Sequence, residues 1–273
     1  VGYAANKLGS VTLSGGAGAG GPLAVLLIAI VAAECGKAVS KETKVDILVT
    51  PLVTILTGVA LSAMIAPAIG SAASSIGAFV EWATILQPFW MGILVSVVVG
   101  IALTLPISSA AICAALGLTG LAGGAAVAGC CAQMVGFAVM SFRENRWGGL
   151  ISQGLGTSML QMGNIVKNPK IWIPPILTSA ITGPIATCLF HFQMNDPSGG
   201  VASGMGTCGM VGPIGVYAGW VNDVANGVKA AITGTDYLAM ALICIVLPAV
   251  LTWVFGWMLR KIGWIGENDL KLD

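Results

Sequence analysis

The run from Tyr237 to Met258 carries no charged side chain, and neither does the run from Phe89 to Leu105. A stretch of about 20 apolar residues is what an α-helix needs to cross the hydrocarbon core of a bilayer. Barrel strands are shorter and alternate strictly, so these spans are helical. Charged residues make up 8% of the chain and hydrophobic residues 56%, with a mean hydropathy of +0.93. A soluble domain has about 25% charged residues. The sequence therefore predicts an all-α integral membrane protein, a polytopic helical bundle occupying 1–273 as a single membrane domain. The net charge of +1 leaves no basic surface for nucleic acid. Glycine accounts for 38 residues of 273, a surplus suited to close helix packing in lipid.

Taken in order, Val1 to Gly21 is a polar and then glycine-rich lead-in. No Lys-Ser/Thr pair follows its glycines, which excludes a phosphate loop. The chain opens on Val1 and has no secretory pattern, which fits a processed or partial chain. Pro22–Val39 is the first crossing, with Glu34 snorkelling near its end, and the lysines of Lys37–Lys44 mark a cytoplasmic loop. Asp46–Ile69 is the second crossing, interrupted by Pro51 and Pro67. Ala72–Gln87 reads as a separate, interfacial amphipathic helix. After Phe89–Leu105, the segment Leu105-Pro106-Ile107-Ser108-Ser109 unwinds and offers hydroxyls, although serines also bond back to their own helix. Ala110–Met140 is long, with Gly120 and Gly124 spaced for close packing. Its amide Gln133 must find a partner in a substrate or a neighbouring helix. Arg143 and Arg146 form a second basic loop whose charge conflicts with simple alternation. Either Ala110–Met140 is not one span or Ala72–Gln87 alters the count.

The next stretch contains a pair of near-copies. Gly154-Leu155-Gly156-Thr157-Ser158 is echoed by Gly204-Met205-Gly206-Thr207-Cys208, on either side of the crossing Trp172–Phe192, which Pro184 breaks. Gly149–Asn168 is too polar for a lipid-facing span and too apolar for a surface loop, and Val201–Trp220 follows the same pattern. Both are expected to be re-entrant hairpins, because irregular backbone at membrane depth persists only where it lines a cavity or is buried in protein. His191 is an interfacial histidine beside the turn-rich loop Asn195–Gly200. Asn222–Asn226 is a helix start or loop, Arg260 and Lys261 mark a cytoplasmic C-terminus, and a charged tail follows to Asp273.

Gly204, Gly206 and Gly209 spell a dinucleotide fingerprint, but that motif needs a βαβ unit that membrane helices exclude. The one histidine is expected at an interface, which makes no Ser/His/Asp arrangement credible, and with no Cys-x-x-Cys pair in the chain no cysteine–histidine zinc spacing exists. The seven cysteines read mostly as buried small hydrophobes, with Cys208 inside the second copy as the exception, and the carboxylates are scattered singly. No metal and no cofactor is expected, and no catalysis. Neutral polar groups and exposed backbone suit binding and release.

Thr43–Pro51, Leu105–Ala111, Gly154–Gln161, Asn164–Pro169 and Gly204–Thr207 together resemble bacterial membrane proteins of the phosphotransferase-system enzyme IIC type, a group that includes perfringolysin-regulator-like proteins. The resemblance covers nearly the whole chain. It implies the glucose-superfamily sugar-permease fold, a homodimer in the inner membrane, and scaffold crossings mainly in 22–105. The substrate portion with its two hairpins lies mainly in 106–221 and the last crossing in 237–262. The substrate-binding residues it frames are Ser108, Ser109, Gln133, Gly156, Thr157, Ser158, Gln161, Asn164, Gly206, Thr207 and Gly209. The expected function is alternating-access transport of a small polar solute, a sugar or sugar-like molecule. The solute, membrane lipid, a second copy of the chain and separate phosphotransferase components are the expected partners. Permeases of this kind carry Gly-Ile-Thr-Glu-Pro-Ile in the second hairpin. Gly209-Met210-Val211-Gly212-Pro213-Ile214 has glycine in place of the glutamate, and the permease histidine has no counterpart in Leu105–Ser109. No soluble domain with a phosphorylatable cysteine or histidine lies within these residues. A membrane-embedded solute sensor that keeps the fold without transport is the alternative expectation.

Overall fold

The computed structural model describes residues 21–40, 46–195 and 200–272. The glycine-rich lead-in, the lysines at 41 and 44 and most of the Asn195–Gly200 loop lie outside the described residues. All the regular elements are helical. Four helical stretches are long and apolar enough to cross a membrane among the described residues: Asp46–Leu86, Gly120–Met140, Pro169–Leu189 and Gly234–Ile262. Pro88–Thr104 is a shorter apolar helix.

The described residues form two compact units, one within 21–78 together with 114–117 and the other within 79–113 together with 118–272. In the first unit, α1 (Gly21–Val39) packs on the part of α2 (Asp46–Leu86) that belongs to it, through Ala24, Ile28 and Ala66. Here the sequence expectation needs correcting. Asp46–Ile69 and Ala72–Gln87 are not a crossing followed by an interfacial helix but one helix that runs through Pro51 and Pro67. Each proline removes one backbone hydrogen bond. An apolar chain has no water to replace the rest, so continuing the helix costs less than breaking it.

The second unit is built around α5 (Gly120–Met140), a helix composed mostly of Ala, Gly and Cys that is buried along nearly its whole length. Against it pack α3 (Pro88–Thr104), α8 (Ile173–Pro184) and α11 (Leu247–Ile262). Small residues let these helices approach to backbone contact. A Cβ on Gly100 would lie 2.9 Å from the Gly129 carbonyl oxygen, and one on Gly136 would lie 2.7 Å from the Thr252 hydroxyl. The fourth helix, α4 (Ser109–Leu116), is separate from α5, so Ala110–Met140 is not one span. The chain turns at Gly117 and Gly120, with φ of +62° and +59°. The Glu81 carboxylate caps the fresh helix end, accepting the Leu121 and Ala122 N–H groups at 3.0 Å each. A carboxylate there satisfies orphan donors and opposes the positive end of the helix dipole.

Beyond α5, the short helical stretch α6 (Phe142–Ile151), kinked at Arg146 (φ +52°) and carrying the arginines expected in a loop, leads into the first glycine copy, and α7 (Met162–Lys167) follows it. A π turn at Ile185–Leu189 extends α8. Asn222–Ala225 is neither a loop nor a helix start. It is the last turn of α9 (Val211–Ala225). A π turn at Leu242–Val246 joins α10 (Gly234–Ala241) to α11, forming the final long stretch. The charged tail is an ordered strap. Ile265 and Leu270 bury themselves beside Phe137, Ile165 and Ile171.

Candidate functional site

The first glycine copy folds as a tight π turn, Ser152–Gly156, followed by extended backbone at Thr157. The Thr157 hydroxyl accepts the Met159 N–H at 3.2 Å and so starts a 3-10 turn, Ser158–Gln161. That turn carries the fully buried Ser158 into the interior, where its Oγ lies 2.9 Å from Oγ1 of Thr104 on α3. Thr104 in turn donates to Oε1 of Gln133 at 3.4 Å, and Trp172 Nε1 donates to the same oxygen at 3.0 Å. The Gln133 amide nitrogen reaches Ser179 Oγ on α8 at 3.5 Å. A polar chain thus crosses from the first copy through α3 and α5 to α8. Gln133, at zero exposure, finds its partners in neighbouring helices, one of the two alternatives its burial left open.

Gln161 and Asn164 have different partners. The Gln161 amide donates to Gln153 Oε1 and to the Leu270 carbonyl, each at 3.0 Å. The Asn164 amide donates to Gln161 Oε1 at 2.8 Å and to the Lys271 carbonyl at 2.9 Å. Asn145 and Asn168 also bind the strap, at the Leu270 and Trp264 carbonyls. Four carboxamides therefore hold the strap by its main chain.

The second copy has similar letters and a different conformation. Gly206 has φ of +54°, and a Cβ there would lie 2.7 Å from Cβ of Cys130 and 2.8 Å from the Cys130 carbonyl carbon. Only glycine fits this combination of left-handed backbone and contact with α5. The Gly206 carbonyl accepts the Gly212 N–H at 2.8 Å. Gly209 (φ +53°) and Met210 (φ +58°) then turn the chain into α9. Thr207 is 2% exposed, and its hydroxyl has no hydrogen-bond partner. A buried hydroxyl without a partner is costly and rare, and calls for an explanation.

The two copies meet. Residues of the Ser152–Gly156 turn come within 8 Å, Cα to Cα, of the Cys208–Met210 turn. Ser109 joins the second copy by donating to the Gly204 carbonyl at 2.6 Å. Ser108 lies apart, exposed, with its hydroxyl accepting the Ala111 N–H at 3.2 Å to cap α4. The polar residues that sequence reasoning left out of the site are Thr104, Gln153 and Ser179, all fully buried. Thr104 was signalled by a lone hydroxyl in an apolar run, Ser179 by the Thr178-Ser179 pair in another, and Gln153 by its place beside the first copy. Cys208 is half-buried and unpaired. Among the described residues, no group of three or more His, Cys, Asp or Glu side chains is placed to hold a metal ion.

No curated protein matches this chain, and no solved structure does either. The family model for the phosphotransferase system, EIIC, matches residues 2–272, which agrees with the multi-pass apolar helices and the resemblance in the glycine copies, and the chain belongs to that family of permease-type membrane components.

Proposed function

We propose that the chain moves a small polar, sugar-like solute across the bacterial inner membrane by alternating access. The two glycine copies act as re-entrant hairpins that close on the solute. The observation that carries this reading is the meeting of the Ser152–Gly156 and Cys208–Met210 turns beside the buried, unpartnered Thr207 hydroxyl. Thr207 supplies a hydroxyl that the solute satisfies. Gly156 and Thr157 supply exposed backbone from the first turn, and Gly206 and Gly209 shape the second. Ser158 and Gln133 tie the first turn to the bundle interior, so that solute contact at the turn is felt by α3, α5 and α8. Ser109 holds the second hairpin at Gly204, while Gln161 and Asn164 anchor the first through the strap. Ser108 serves as an entry-side hydroxyl. The protein works as a homodimer, and phosphoryl transfer, where it accompanies uptake, comes from separate phosphotransferase components.

The test has two stages. A thermal-shift screen of the purified protein against sugars, sugar acids and polyols should find a stabilising solute, and proteoliposomes should then take it up. A panel with no stabilising compound and no uptake would count against a solute site of any kind.

One observation favours the second reading, a membrane sensor that binds a solute without carrying it. Gly212 stands where the resembling permeases place their glutamate, and a Cβ at that position would lie 2.5 Å from the Gly206 carbonyl oxygen. The packing of this turn thus leaves no room for the sugar-contacting acid. A sensor gives a thermal shift without uptake, whereas a carrier gives both.

A further inference from the structure

Two depressions share a wall where α5 and α11 end and α6 begins. One is an apolar groove of about 340 Å³, lined among others by Met140, Leu150, Trp253 and Trp257, with Arg143 and Arg260 in its wall. The other is a polar pocket of about 350 Å³ that contains the same two arginines together with Glu144, Glu267, Asn268 and Lys271. Three cations face two carboxylates there, leaving one positive charge in excess. Arg260 is already engaged, its Nη2 lying 2.7 Å from Oε1 of Glu144. Glu144 has a side chain only 6% exposed, and its second oxygen, Oε2, is buried without a hydrogen-bond partner. A buried carboxylate oxygen lacking a donor is expensive to maintain, and because Glu144 lines the pocket, turning its carboxylate toward a donor bound there would relieve that cost.

We propose that this pair of depressions binds one glycerophospholipid whose headgroup carries a single negative charge and a free hydroxyl. Its acyl chain lies along the Leu150–Trp253–Trp257 groove, its phosphate sits between Arg143 and Arg260, and its hydroxyl donates to Glu144 Oε2. The excess positive charge complements a singly charged anion. The apolar groove leading away from the same arginines distinguishes a lipid from a free phosphate ester. Trp253 and Trp257 are exposed, and the Lys261 ammonium stands 4.0 Å from the Trp257 ring centroid. Tryptophans with lysines beside them are typical of the membrane–water boundary. Basic pockets between membrane helices at that level take anionic headgroups. The site contains no residue of the glycine copies themselves, although α6 and the strap that form it also border the first copy.

Native mass spectrometry of the delipidated full chain in detergent tests this directly. Dioleoyl phosphatidylglycerol should be retained in preference to the phosphatidylcholine and phosphatidylethanolamine analogues. It should also be retained over phosphatidylmethanol, which keeps the charge and lacks the hydroxyl. Arg143 is exposed and Arg143→Ala should leave the fold intact while lowering phosphatidylglycerol retention about fivefold, the effect of one cation near an anionic headgroup. Leu150→Trp, which fills the groove, should lower it as well. Equal retention of the zwitterionic lipids, equal retention of phosphatidylmethanol, or no response to Arg143→Ala would overturn the proposal. So would free glycerol phosphate or inorganic phosphate competing as well as phosphatidylglycerol at the same concentration, because the site would then read an anion and not a lipid.

Discussion

Replacing the matched glycines of the two copies by alanine should have very different consequences. At Gly206 the backbone is left-handed, which costs a non-glycine residue roughly 1–2 kcal/mol. The new methyl group would stand 2.7 Å from Cys130 Cβ and 2.8 Å from the Cys130 carbonyl carbon. Those atoms belong to α5, which α3, α8 and α11 hold on several sides, so the strain cannot be relieved cheaply. Overpacking of this kind adds about 1–3 kcal/mol. Gly206→Ala should therefore destabilise by about 2–5 kcal/mol, a loss on the order of 5–15 °C in melting temperature by the scaling for domains of this size. At Gly156 an added Cβ meets nothing within 4 Å, and the backbone is outside the left-handed region. Gly156→Ala should stay within about 0.5 kcal/mol of the parent, as surface substitutions usually do. Scanning fluorimetry of both variants in one detergent makes the comparison. Equal shifts, or a larger one at Gly156, would refute the claim that Gly206 is wedged against α5 while Gly156 stands open.

Three further outcomes are expected. Thr207→Val keeps the shape and removes an unpartnered hydroxyl, so stability should hold or rise by up to about 1–3 kcal/mol while solute binding falls; a stability loss with binding intact would show that the hydroxyl is bonded within the protein. Leu270→Ala empties a fully buried site and should cost about 2–5 kcal/mol, with residues 263–272 becoming the first cut in limited proteolysis; an unchanged digest would mean the strap is not anchored there. Gln133→Leu strips the Trp172 indole of its acceptor in the bundle interior and should cost about 1–3 kcal/mol with a shifted tryptophan emission, which an unaltered spectrum and melting point would contradict.

Much of this architecture could be read from the chain because it follows from local chemistry. The apolar runs announce helices, and an amide such as Gln133 in one of them announces a hydrogen-bond partner. The paired glycine turns were legible as a repeat, and they do approach each other. Their conformations were not legible. Gly206 is left-handed because α5 lies against it, whereas Gly156 has no such neighbour, and the letters around both are alike. The break between α4 and α5 was hidden for a similar reason. Gly117 permits it, but the cap that makes it stable comes from Glu81, some 40 positions earlier. The charge of the tail was legible, but its order was not. The carbonyls of Leu270 and Lys271 are taken by Asn145, Gln161 and Asn164, more than 100 positions away in sequence. Pro51 and Pro67 misled in the opposite direction. In water they would end a helix, and in an apolar setting the remaining backbone bonds keep α2 whole.

The central claim is that the two glycine turns form one solute site, and hydrogen–deuterium exchange addresses it most directly. Exchange would be followed in peptides spanning 152–161 and 204–212, with and without the most stabilising sugar from the screen. Slowed exchange in both peptides together, abolished in Thr207→Val, is the expected result. Protection confined to one peptide, or found only elsewhere in the bundle, would contradict it.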